Sequence, residues 1–143
     1  MKVESIQNKI IVYLFDEKYN IKNIKKTLEN VFNNLNKYYD IKFNNSYNLE
    51  LYINKNYGMI LEIEENKNEF YEDDVVNIKL NILRDTLFLY EIDEPLNYLN
   101  NEMYYYEDKF YINIKNSNIN VFEDKNIVYG NEVYKIIGRG IKI

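Results

Sequence analysis

LELYINKNYGMILEIE, residues 49–64, is the stretch from which the fold can be read. Leu49, Leu51 and Ile53 alternate with Glu50, Tyr52 and Asn54. After Asn56-Tyr57-Gly58 the same alternation returns, with Met59, Leu61 and Ile63 set against Ile60, Glu62 and Glu64. Successive side chains of a strand point to opposite faces, so a period of two on both sides of a glycine-containing turn predicts a β-hairpin with one buried face. Upstream the period is different. Asn20 has N-cap chemistry, and Ile21, Ile24, Leu28, Val31, Phe32, Leu35 and Tyr38 or Tyr39 follow it at steps of three and four, the spacing of one helix face. The opposite face, with Lys22, Lys25, Lys26, Glu29, Asn33, Asn36 and Lys37, is polar and net basic. The change of period after residue 39 marks a helix followed by a sheet, and with it the α+β class.

Working outward, residues 9–15 are almost wholly β-branched and aromatic (Ile10, Ile11, Val12, Tyr13, Leu14, Phe15), the pattern of a strand buried on both faces. Downstream, Val76, Ile78, Leu80 and Ile82 alternate with Asn77, Lys79 and Asn81. A turn near Arg84-Asp85 and a return through Leu87, Leu89 and Glu91 or Ile92 predict a second hairpin, so residues 1–92 read β-α-β-β-β-β. Pro95, the only proline, follows Asp93 and Glu94 and suits the first turn of a short helix. Beyond it, Tyr106-Glu107-Asp108-Lys109-Phe110 and Phe122-Glu123-Asp124-Lys125-Asn126 repeat an aromatic-Glu-Asp-Lys pattern sixteen residues apart, expected as successive hairpin turns. Gly130-Asn131-Glu132 predicts another turn before a strand over 133–137, and Gly138-Arg139-Gly140 a break before a last strand over 141–143. The expectation is one domain, 1–143, of α+β class. One long amphipathic helix packs on a mainly antiparallel sheet within 1–92, followed by a C-terminal β-meander within 93–143.

Composition excludes much chemistry. With 143 residues, 46% of them hydrophobic, and 20 Ile, 16 Tyr and 7 Phe, the chain has the material for a core that disordered segments lack. It contains no His, Cys, Trp or Ala. Without His or Cys there is no Ser-His-Asp triad, thiol nucleophile, imidazole or thiolate zinc site, haem ligated by either residue, or disulfide. Any catalysis would rest on Asp or Glu with a hard cation, or on a shifted Lys. The 25 asparagines, 16 lysines and single proline match the codon bias of an A+T-rich genome. The asparagines are interspersed with apolar residues at structural spacing, which argues for a globular chain over a prion-like tract. The longest apolar run near the N-terminus, Ile10 to Phe15, is too short for a signal-peptide core or a membrane span. A cytoplasmic location without a membrane partner is expected.

Charge is segregated along the chain. Residues 1–58 carry nine Lys against six acids, residues 59–108 three basic residues against fourteen acids, and residues 109–143 six basic against three acidic. Such a middle block attracts a basic protein surface and repels phosphate backbones, so a basic protein partner is expected and nucleic acid is not. The same charge supports an alternative, an acidic mimic of nucleic acid that inhibits a nucleic-acid-binding protein. Glu72, Asp73 and Asp74, with Glu62 or Glu64 across a hairpin, are the candidate Mg²⁺ or Ca²⁺ ligands of a second alternative, a small carboxylate-dependent hydrolase. They lack EF-hand spacing and a sharp glycine turn, and neither metal nor cofactor is expected. Tyr104, Tyr105, Tyr106, Phe110 and Tyr111 put aromatics on both faces of a predicted hairpin. Tyrosine is enriched at interfaces for its apolar area and polar tip, while Glu102, Glu107 and Asp108 oppose a base-stacking platform. The plainer counterparts are a solubilising run of charge and cross-strand pairing that only steadies a hairpin. Gly138-Arg139-Gly140 matches neither phosphate-binding glycine spacing. The reading that results is a non-enzymatic interaction or regulatory domain with no catalytic residue. Tyr104, Tyr105, Tyr106, Glu107, Asp108 and Tyr111 meet the partner, and Glu62, Glu64, Glu72, Asp73 and Asp74 form an acidic face.

Overall fold

The turn at residues 54–58 is closed by its own side chains. Asn54 Oδ1 accepts the backbone N–H groups of Asn56 (3.0 Å) and Tyr57 (3.1 Å), an Asx-type turn. Gly58 has φ +136°, and a Cβ there would lie 2.7 Å from the Leu14 carbonyl oxygen and 2.8 Å from Phe15 Cα, so only glycine fits. This turn joins β3 (Tyr47–Asn54) to β4 (Gly58–Glu65), neighbours in one sheet. The structure, a computed structural model, describes residues 1–15, 21–66, 78–113 and 126–143. The fold is mixed α+β, with two mostly antiparallel sheets and two α-helices among the described residues. It divides into two compact units, Met1–Leu51 with Gly58–Ile82 and Tyr52–Tyr57 with Leu83–Ile143.

The first sheet has the order β1-β2-β4-β3-β5, with β1 at Lys2–Ile6, β2 at Lys9–Leu14 and β5 at Ile78–Leu83. β2 lies inside the sheet, and Ile11, Val12, Tyr13 and Leu14 are buried as their run of apolar residues predicts. β1 is an element the sequence reading misses. KVESI has too few apolar residues to show a period and is a strand because it pairs with β2 from Lys2↔Tyr13 to Ile6↔Lys9.

The helix is preceded by a 3₁₀ turn, Ile21–Asn23, and runs as α1 over Ile24–Tyr39; the expected cap Asn20 lies outside the described residues. Leu28, Val31 and Leu35 are buried. Ile24 and Phe32 are only half-buried, and Tyr38 and Tyr39 are 67% and 45% exposed, so the buried stripe is narrower than the periodicity implies. Phe32 meets the edge of Phe43 at 4.7 Å, and Phe43 meets Tyr47 of β3 at 5.1 Å, which links helix to sheet through aromatic contacts. The helix ends at Asp40 in the left-handed conformation, with the Ile41 N–H bonded to the Leu35 carbonyl at 3.1 Å.

The second sheet has the order β10-β7-β8-β6-β9. Its strands are β6 (Leu89–Ile92), β7 (Met103–Tyr106), β8 (Lys109–Asn113), β9 (Ile127–Val128) and β10 (Ile141–Lys142), with a 3₁₀ turn at Pro95–Tyr98 and α2 at Asn131–Arg139. The expected hairpin is not formed by residues 78–92: β5 belongs to the first sheet and β6 to the second. The link does not fold back on itself, because Thr86 N and Oγ1 both donate to the Ile53 carbonyl, at 3.0 and 2.9 Å. Nor are residues 133–137 a strand of a meander. They are the middle of α2, where Val133 and Ile136 are buried in a cluster with Leu89, Tyr104 and Tyr111, and Ile137 packs against it. β-branched content suggested a strand, yet Ile136 and Ile137 lie three and four residues beyond Val133, which puts them on one helix face. Gly138-Arg139-Gly140 accordingly ends a helix. The expected turn over 122–126 lies almost wholly outside the described residues.

Candidate functional site

The aromatic hairpin exists and its turn is strained. β7 and β8 pair from Met103↔Ile112 to Tyr106↔Lys109, leaving Glu107 (φ 48°) and Asp108 (φ 63°) as a two-residue loop. Positive φ at both positions is the type I′ arrangement that matches the twist of a hairpin. Glutamate is a poor choice for it, because its Cβ crowds the backbone there.

The pleat divides the tyrosines. Tyr104 and Tyr111 face α2 and are 6% and 9% exposed, within the Leu89–Val133–Ile136 cluster. Tyr106 packs against the same cluster. These three belong to the core side of the sheet and offer little surface. Tyr105 and Phe110 point the other way, with rings 5.0 Å apart and both half-buried.

Register shows what shares that second face. Ile141 pairs with Tyr105, Tyr105 with Phe110, and Phe110 with Ile92, a single rung of apolar and aromatic side chains across four strands. The next rung, Met103, Ile112, Tyr90 and Ile127, is buried throughout. The outer rung is buried only at Ile92; Tyr105 and Phe110 are half-buried, and Ile141 is 65% exposed. Beyond it, at the same end of the sheet, come Asp93 and Glu94 after β6 and Glu107 and Asp108 in the turn. All four are exposed, and none makes an ion pair among the described residues. Asp108 Oδ1 accepts the Tyr105 hydroxyl at 2.8 Å, a bond that pushes the phenol above its ordinary pKa. The lysines of the sheet are engaged elsewhere, Lys109 with Glu91 and Lys142 with Glu102, each at 3.0 Å.

Glu102 organises the opposite end of the hairpin. Its carboxylate accepts bonds from the Tyr104 hydroxyl and Asn113 Nδ2, both 2.9 Å, besides Lys142. The Lys142 ammonium, then Asn113 and Tyr104, hold its pKa at about 2.

Of the expected acidic face, Glu72, Asp73 and Asp74 lie outside the described residues. Glu62 and Glu64 stand on one face of the first sheet in register with Ile11 and Lys9, and Lys9 Nζ is 3.8 Å from Glu62. The cleft there, about 300 Å³, has Lys9 and Lys79 in its walls as well as Glu50, Glu62 and Glu64, so its charge is mixed. No group of three or more Asp, Glu, His or Cys side chains among the described residues is arranged to hold a metal ion. Among the described residues no helix is long and apolar enough to cross a membrane.

The sequence reading misses Ile92, Asp93, Glu94 and Ile141 as members of the site. Their membership follows from strand register, which no local pattern reveals. No protein-family model, curated protein or solved structure matches the chain.

Proposed function

We propose that this chain is a non-enzymatic protein-interaction domain that docks a partner with a basic surface on the acidic end of its second sheet. The observation that carries the reading is the rung Ile141–Tyr105–Phe110, exposed at Ile141, half-buried at Tyr105 and Phe110 and continued by the buried Ile92, bordered by four carboxylates that make no ion pair among the described residues. Apolar and aromatic side chains supply most of the binding energy of an interface once desolvated, while charges of one sign steer the encounter and select the partner. Asp93, Glu94, Glu107 and Asp108 supply the steering charge, and Tyr105 and Phe110 the anchor. Tyr104 and Tyr111 shape the sheet from below. Glu62 and Glu64 carry less of the interaction than the sequence expectation gave them, because Lys9 and Lys79 stand beside them.

The two roles separate on mutation. Affinity capture at low and at high salt isolates the partner, and surface plasmon resonance then compares variants. Charge reversal at Glu107 and Asp108 slows association and flattens its salt dependence. Tyr105→Ala speeds dissociation by an amount worth about 1–4 kcal/mol. Unchanged kinetics in both variants would move the binding surface off this sheet.

A further inference from the structure

We infer that the anchor this end of the sheet takes from its partner is an arginine side chain, laid on the Tyr105 and Phe110 rings and paired with Asp108 and Glu107; the inference rests on the docking reading above. The two rings meet at 5.0 Å with an interplanar angle of 50°, and both reach solvent from one rung. The Tyr105 hydroxyl bonds to Asp108 Oδ1 at 2.8 Å, which fixes the ring beside the turn. The second oxygen of Asp108 and the whole Glu107 carboxylate make no hydrogen bond among the described residues. A cation bound here therefore meets an aromatic face and carboxylate oxygens side by side.

That combination distinguishes the two basic side chains. A guanidinium is planar and weakly hydrated, so it stacks on a ring while its in-plane N–H groups reach carboxylates at the ring's edge. An ammonium is a compact, strongly hydrated point charge that uses the carboxylates and gains less from the rings. Among the described residues the cations of the second sheet and α2 do not fill the place. Lys109 and Lys142 are held by Glu91 and Glu102, and the exposed Arg139 of α2 makes no ion pair among the described residues.

The test uses the full chain, isotope-labelled, titrated with two acetylated and amidated peptides, one alternating Leu with Arg and one alternating Leu with Lys. Amide shifts at Tyr105, Asp108 and Phe110 are expected with both, and the arginine peptide should bind about two- to fivefold more tightly, the size of an exposed cation–π contact. Tyr105→Leu keeps an apolar side chain on the rung and should bring the arginine peptide down to the lysine peptide's affinity. Unchanged amide positions at Leu89, Val133 and Ile136 verify the fold of that variant, and Asp108→Asn carries the same comparison if Tyr105→Leu fails to fold. Equal affinities at the rung would overturn the arginine anchor and leave the docking reading standing. Shifts confined to other surfaces, or none at all, would overturn both.

Discussion

Glu102 bonds at once to the start of β7, the end of β8 and β10 through Tyr104, Asn113 and Lys142. Its ordinary pKa of 4.5 falls to about 2 in the folded chain. Because the folded value lies below the unfolded one, the stability this group supplies is present above pH 4.5 and lost as pH falls from 4.5 through about 2. Glu102→Gln should therefore show a shallower loss of stability over that window than the parent chain, and the difference between their urea midpoints isolates this group from the other carboxylates. Equal slopes would mean that Glu102 is not so engaged. At the same scale, Tyr104 and Tyr105 show what adjacency in sequence conceals. They are neighbours, yet one is buried against α2 and the other half-buried on the far face, because consecutive strand residues point to opposite sides. The sequence leads one to expect one row buried and the other at least partly exposed. Which row is which depends on where α2 packs.

Among the elements, the β7–β8 turn joins strain to function. Glu107 and Asp108 occupy left-handed conformations that cost an L-residue about 1–2 kcal/mol each and that Asn-Gly adopts readily. Replacing the pair with Asn and Gly should stabilise the chain by about 1 kcal/mol in thermal or urea unfolding. It should also weaken capture of a basic partner, since two of the four carboxylates are gone. A variant that gains stability and keeps full affinity would remove the turn from the binding surface. Legibility varies among the elements for a physical reason. The hairpin at 49–64 is legible because its period and its Asn54–Gly58 turn chemistry agree within one short window. The segment 133–137 is not, since a run this short and rich in Val and Ile satisfies both periods. Burial against Leu89, Tyr104 and Tyr111 selects the helix.

For the whole molecule, a formal charge of −5 and four carboxylates at one sheet end that make no ion pair among the described residues oppose contact with a polyanion. The basic face of α1 and the 3₁₀ turn before it is where an exception would arise, through the exposed Lys22, Lys25 and Lys26. No retardation of duplex or single-stranded nucleic acid is expected in a gel shift at low salt, where screening is weakest. Retardation that disappears on mutating those three lysines would show that the local patch outweighs the net charge. The α+β class, the aromatic hairpin and the exclusion of His and Cys chemistry are legible in the residues alone, because each depends on composition or on a period contained in a short window, whereas the helical periodicity overstates the width of the buried stripe. That β5 and β6 join different sheets, that 131–139 is a helix, and that Asp93 and Glu94 lie at the same sheet end as Glu107 and Asp108 emerges from the folded chain alone. Those outcomes depend on pairing between strands distant in the chain, where the burial gained by one whole register over another makes the choice, and no stretch of local sequence contains that comparison.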